Sequence, residues 1–152
     1  FMNENRKTEF LTNIRQIMRL HDKMLKSICG QYQMNITETA VISFLYNNPG
    51  KDTAADIVEL RMLSKGAVSQ AVESLIQKKL LEREQDTKDR RRIHLSLTPA
   101  ANPITQEIEK AQKGFRDKVF QGFTEEEREL FNEFHLRIQE NTKQALEGGD
   151  IQ

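Results

Sequence analysis

Leu80-Leu81-Glu82-Arg83-Glu84 and Ile93-His94-Leu95-Ser96-Leu97 flank the wholly polar run 85–92, Gln85-Asp86-Thr87-Lys88-Asp89-Arg90-Arg91-Arg92. The second flank alternates apolar and polar side chains, the period of a half-buried strand, and the run between the flanks carries the charge of an exposed turn. A two-stranded hairpin with a charged tip is expected. Immediately upstream, Ser64 can cap a helix that turns Val68, Val72, Leu75 and Ile76 inward. Before it, Thr53 with Asp56 three residues on has the form of a capping box opening a short helix through Ile57, Val58 and Leu60. Before that, Thr37 can cap a helix bearing Ala40, Val41, Phe44 and Leu45, which Asn47-Asn48-Pro49-Gly50 stops. Three short helices and then a hairpin make the winged helix-turn-helix plan, whose last helix enters a major groove and whose hairpin reaches the adjacent minor groove.

Farther out, the spacing is helical on both sides. Phe10, Leu11, Ile14, Ile17, Met18, His21, Met24, Leu25 and Ile28 form one stripe of a long helix that Gly30 is expected to end. Ile104, Ile108, Ala111, Phe115 and Val119 form a second stripe; its helix starts either after an Asn102 cap or already at Pro99, with Pro103 then inside it. Thr124-Glu125-Glu126-Glu127 caps a last helix with Leu130, Phe131, Phe134 and Ile138 on one face, closed by Gly148-Gly149. The fold class is therefore mainly α with a small β-hairpin: a winged helix-turn-helix domain (37–98) between long N-terminal (1–36) and C-terminal (99–152) dimerisation helices. The terminal stripes are wider than the small central unit can cover, and a second copy of the chain is the simplest cover.

Composition narrows the class. The chain has 152 residues, 37% hydrophobic and 30% charged, with one cysteine, seven glycines and three prolines, which excludes a disulfide scaffold, a collagen and a disordered chain. No window is apolar enough to span a membrane, and the N-terminal stretch, in which Met2 reads as the natural start, lacks the apolar core of a signal peptide, so the expected location is the cytoplasm. Twenty-three basic and twenty-three acidic side chains cancel. Their placement does not: 1–60 holds seven of each, 61–92 nine basic and five acidic, and 93–152 seven basic and eleven acidic. The excess of four positive charges falls on the last short helix and the hairpin tip, where phosphates would need neutralising.

On that helix Lys65, Gly66, Ser69 and Gln70 face outward near the N-terminus, with Ala67 partly available and Glu73 a turn farther on. Small residues admit close approach, Gln70 can pair bidentately with adenine, and Ser69 can bond a base or a phosphate. At the hairpin tip, Lys88, Asp89, Arg90 and Arg91 form a group in which an arginine can enter a narrow minor groove while an aspartate orients its guanidinium.

Leu63-Ser64-Lys65-Gly66-Ala67-Val68-Ser69-Gln70, Lys79-Leu80-Leu81-Glu82-Arg83, Asp89-Arg90-Arg91-Arg92 and Leu95-Ser96-Leu97-Thr98-Pro99-Ala100 together resemble the signature of the MarR family of bacterial transcriptional regulators. The likeness is close over 35–104. It implies a homodimeric regulator that binds double-stranded DNA at a pseudo-palindromic operator and represses transcription. The recognition helix would be 64–78 and the wing 83–94, with Ser64, Lys65, Ser69 and Gln70 at contact positions and Asp89 and Arg91 as the wing-tip pair. Two departures stand out: Gln70 replaces a residue that is often basic, and the glycine usual after the L-T motif gives way to Ala101-Asn102-Pro103.

The same resemblance implies a pocket for a small lipophilic or phenolic effector, for which His21, Met24, Ile28, Phe44 and Tyr46 are the wall candidates. Side chains of these types at helical spacing are more often plain core. Cys29 lies near the end of the first long helix with only Lys26 close by, a poor setting for a thiolate sensor. His21, His94 and His135 show no metal-ligand spacing, so no metal or other cofactor is expected. No nucleotide-binding glycine loop, nucleophile elbow or other catalytic spacing occurs, so an enzyme is not expected. The rival reading is a winged-helix protein-interaction module without specific DNA binding.

Overall fold

The structure is a computed structural model and describes residues 7–148. Six α-helices and one hairpin follow in the order α1 (Lys7–Tyr32), α2 (Ile36–Asn47), α3 (Ala54–Arg61), α4 (Lys65–Gln77), β1 (Leu81–Gln85), β2 (Ile93–Leu97), α5 (Asn102–Val119) and α6 (Glu125–Glu147). The mainly helical class with a small hairpin is thus the observed one.

Helix α1 runs through Gly30 rather than ending there. Its stop is Gln33, in the left-handed conformation at φ 53°, with the Met34 amide donating to the Cys29 carbonyl at 2.9 Å. That bond spans the terminus in the Schellman pattern, so Gly30 lies inside the last turn. Helix α2 starts at Asn35, not Thr37: the Asn35 side chain takes the Glu38 amide at 2.8 Å while the Glu38 carboxylate takes the Asn35 amide at 3.3 Å. Asn-x-x-Glu is as good a capping box as any in the chain, and Thr37 falls in the first turn. The boxes at Thr53 and Asp56 and at Thr124 and Glu127 form as expected, and the Ser64 hydroxyl caps α4 through the Ala67 amide at 3.1 Å.

Helix α2 is the centre of the core, with Glu38–Phe44 buried along it, and it packs against α1, α3, α4 and β2. Leu25 and Ile28 of α1, Ile57 of α3, Val68 and Leu75 of α4 and Ile104 and Ile108 of α5 close around it. The hairpin is antiparallel with Leu81 opposite Leu97 and Gln85 opposite Ile93, so Leu81 and Leu95 face the core. Thr98 stitches its open end to the link between α4 and β1: its amide donates to the Leu80 carbonyl at 3.0 Å and its hydroxyl to the Lys79 carbonyl at 2.7 Å. This is the structural work of the Leu-x-Leu-Thr sequence. Helix α5 has already begun as a single 3-10 turn at Pro99–Ala101, so Asn102 is helical and no cap, and Pro103 sits where its missing N–H costs nothing.

The chain divides into two compact units, 1–115 and 116–152. In the second, Phe120 meets Phe123 and Phe131 edge-on at 5.5 and 5.0 Å between ring centroids, and the Arg128 guanidinium lies over the Phe120 ring. No residue of α6 is buried: Leu130, Phe131, Phe134 and Ile138 all remain about half exposed. In the first, Phe10, Leu11 and Met18 of α1 are likewise exposed. Gly148 ends α6 as its C-cap, and Gly149 lies outside the described residues.

Candidate nucleic-acid interface

Helix α4 buries Val68, Ala71, Val72 and Leu75, which leaves Lys65, Gly66, Ser69, Gln70 and Glu73 on its exposed side. A Cβ on Gly66 would meet nothing within 4 Å, so packing inside the chain does not call for a glycine there. Yet glycine in a helix costs about 1 kcal/mol relative to alanine. Open space in the first turn leaves the backbone accessible to a neighbouring molecule. The helix N-terminus presents its free N–H groups on the same side, although the Ser64 hydroxyl is already engaged with one of them.

The wing tip is built by two aspartates. Asp86 accepts the Lys88 amide at 2.9 Å and Asp89 accepts the Arg91 amide at 3.0 Å, two Asx turns in succession. The Asp86 amide closes the loop on the Arg92 carbonyl at 2.9 Å, and the Gln85 side-chain amide holds the Arg90 carbonyl at 2.8 Å. The orientation expected of Asp89 is therefore realised on the backbone of Arg91: among the described residues no ion pair joins their side chains. Lys88, Arg90 and Arg91 are exposed around this fixed loop.

Two contacts escaped the sequence because their partners are distant or on different elements. The Arg83 guanidinium grips the Glu73 carboxylate with both terminal nitrogens and so fastens β1 to α4. The His94 ring lies between Asp52 Oδ1, 2.8 Å from Nδ1, and Asp86 Oδ2, 3.2 Å from Nε2. These carboxylates, Asp52 first, raise the histidine's pKa above its ordinary value. Asp86 is held below the usual carboxylate range, chiefly by the Lys88 amide and then by His94. A cleft of about 460 Å³ opens between α3, α4 and the hairpin, with Val58, Ser69, Val72, Arg83 and Ile93 on its walls.

The effector candidates do not share one wall. His21 lines a cleft of about 590 Å³ together with Met18, Arg61, Met62 and Phe115, and packs edge-on against Phe115 at 5.3 Å. Burial, then the charge of Arg61, lowers its pKa. Met24 and Ile28 border a separate shallow cleft on α1 and α5. Phe44 is core, and Tyr46 is partly exposed, donating to Glu109 of α5 at 3.1 Å. Cys29 stands 3.2 Å from the Thr39 hydroxyl, a packed thiol.

The MarR family model matches residues 32–92, from the end of α1 through the wing tip. Residues 32–92 thus form a MarR-type segment. Over 135 residues the chain is 29% identical to the HTH-type transcriptional regulator MhqR of Bacillus subtilis strain 168, covering 89% of this chain and 92% of that one. It is 26% identical over 132 residues to the uncharacterized HTH-type transcriptional regulator YsmB of the same strain, covering 86% and 89%. Its fold is similar to the crystal structure of MarR, with a TM-score of 0.66 at 26% identity over 91% of this chain and 98% of that one. The matched family model and the fold together make it a DNA-binding transcriptional regulator and not an enzyme.

Proposed function

We propose that two copies of this chain bind a pseudo-palindromic operator and repress transcription from it. Each copy lays the recognition helix, 64–78, in a major groove and the wing, 83–94, in the flanking minor groove. The observation that carries this reading is the pairing of two exposed faces: Lys65, Gly66, Ser69 and Gln70 on α4, and Lys88, Arg90 and Arg91 on a wing loop that Asp86 and Asp89 hold in shape. Gln70 is assigned to base reading, Lys65 and Ser69 to phosphate or base edge, and Arg91 to the minor groove. Homodimerisation is supported by the half-exposed apolar faces of α1 and α6. A small lipophilic or phenolic anion is the effector that suits the cleft at His21, where Arg61 supplies charge and Met18 and Phe115 supply apolar wall.

Fluorescence anisotropy with a labelled fragment from upstream of the protein's own gene, against unrelated DNA and across salt concentration, tests the assignment. If each subunit neutralises four or five phosphates, the log-log slope of affinity on salt is roughly −7 to −9. Weak binding without preference, on that fragment and on DNA selected from a random pool, would instead favour a protein-interaction module.

A further inference from the structure

At the root of the wing, the His94 side chain contacts two other segments of the chain at once. Its two ring nitrogens face carboxylates of different segments, Asp52 in the turn before α3 and Asp86 at the start of the wing loop. A neutral imidazole has one N–H and one lone pair, so it can serve only one of these acceptors and turns its lone pair on the other. The imidazolium donates to both. Backbone already ties the turn before α3 to β2, where the Leu95 amide donates to the Asp52 carbonyl at 2.8 Å. Asp86 in turn shapes the wing loop through the Lys88 amide.

Other charged side chains lie near this pairing. Glu84 of β1 stands opposite His94 in the strand register, on the same face of the hairpin. Lys51 and Arg92 lie near enough to act on Asp56 in the first turn of α3, while the charges acting on the His94 ring are those of Asp52 and Asp86.

We propose that His94 is a positioning residue for the wing: protonated, it latches the wing loop through Asp86 to the turn before α3 through Asp52, and its deprotonation loosens the wing and weakens DNA binding. The inference rests on the wing's role in DNA binding proposed above. The latch acts through Asp86 and not by touching DNA, since His94 is only a third exposed and both its nitrogens are engaged.

Two readouts on the full-length protein test it together. In the free protein, an NMR titration of the His94 ring protons is expected to give a midpoint above the ordinary histidine value of about 6.5, and Asp52→Asn is expected to lower it. In DNA binding, affinity is expected to fall by up to about tenfold from roughly pH 6 to pH 9, the change that one unit of pKa difference between free and bound protein produces. His94→Gln should abolish most of that pH dependence, and Asp52→Asn should move it to lower pH, with circular dichroism confirming that each variant is folded. A His94 midpoint at or below 6.5, or an unchanged pH profile in a folded His94→Gln protein, overturns the latch while leaving DNA binding intact. Loss of selective DNA binding at every pH, with the raised titration of His94 still present, overturns the DNA reading instead and with it the latch's effect on affinity.

Discussion

Among the described residues Glu38 is the buried charge, and its neighbours explain why it is tolerated. Burial alone would push its carboxyl up, but the Lys78 ammonium at 2.8 Å, the Asn35 amide and the Ser74 hydroxyl at 3.1 Å outweigh that and hold it below its ordinary value. A depressed folded pKa contributes stability that is complete above the unfolded value, about 4.3, and is lost as pH falls through the folded one. Lys78→Met removes the cation and leaves the carboxylate with neutral donors only. Urea titrations should show a loss of about 1–3 kcal/mol at neutral pH, with the acid transition shifted upward. Met62 carries the opposite lesson. It sits at φ 54° at the end of α3 with 90% of its surface exposed, so it pays a left-handed strain and buries little in return. Met62→Gly should raise stability by about 0.5–1 kcal/mol, read as a higher melting temperature. At the proposed contacts, Gln70→Ala should change preference at one base pair per half-site by about 1–3 kcal/mol, whereas Arg91→Ala should weaken all sequences alike. Competition with single-base operator variants separates the two.

The helix starts follow from local chemistry, and three of the helix ends do not. Asn35, Thr53, Ser64 and Thr124 each satisfy a backbone amide three residues on, a rule readable from spacing, although Thr37 offers a decoy two residues inside the true start. By contrast α1, α3 and α4 end at or just before Gln33, Met62 and Lys79, all non-glycine residues in the left-handed region. Glycine is the usual signal for such an end, and Gly30 gave a misleading one. The reason is packing: Met34 is buried just past the stop in α1, and Leu80 joins the core just past Lys79, so the chain must turn where those side chains go in. The wing is an element whose shape rests on two short side chains. Asp89→Ala removes the acceptor for the Arg91 amide and should speed hydrogen exchange at the tip amides and lower DNA affinity severalfold, with the melting temperature nearly unchanged because the tip is exposed. A wing that exchanges no faster in that variant would mean the loop is held by the Asp86–Arg92 closure alone.

At the scale of the molecule, the unsatisfied surface lies on the outer helices. The half-exposed Leu130, Phe131 and Phe134 of α6 form an apolar face within residues 116–152, and Phe10, Leu11 and Met18 form another within 1–115. Burying such faces against a second copy is worth about 25 cal/mol per Å² before the cost of association. Phe134→Glu should therefore convert a dimer into a monomer in sedimentation velocity, and should reduce the salt slope of DNA binding toward half, since each subunit then neutralises phosphates alone. Wild-type melting temperature should rise with protein concentration for the same reason. A protein that sediments as a monomer before mutation would remove the dimer.

The sequence by itself determined the order of elements, the hairpin, the start of α4 and the family resemblance, because each rests on contacts within a few residues: caps at three-residue spacing, apolar stripes and alternating strand residues. Ser64, the place of Asp89 at the wing tip and the exposed face of α4 were legible for that reason. Only the tertiary structure decided which groups from distant parts of the chain meet. It placed Asp52 and Asp86 on either side of His94, joined Glu73 to Arg83 across α4 and β1, set Lys78 on Glu38, and separated His21 from Met24, Phe44 and Tyr46. Those pairings depend on how helices rotate and dock to fill one core. Side-chain period reports which face of an element is buried, and it carries no information about the partner that covers it.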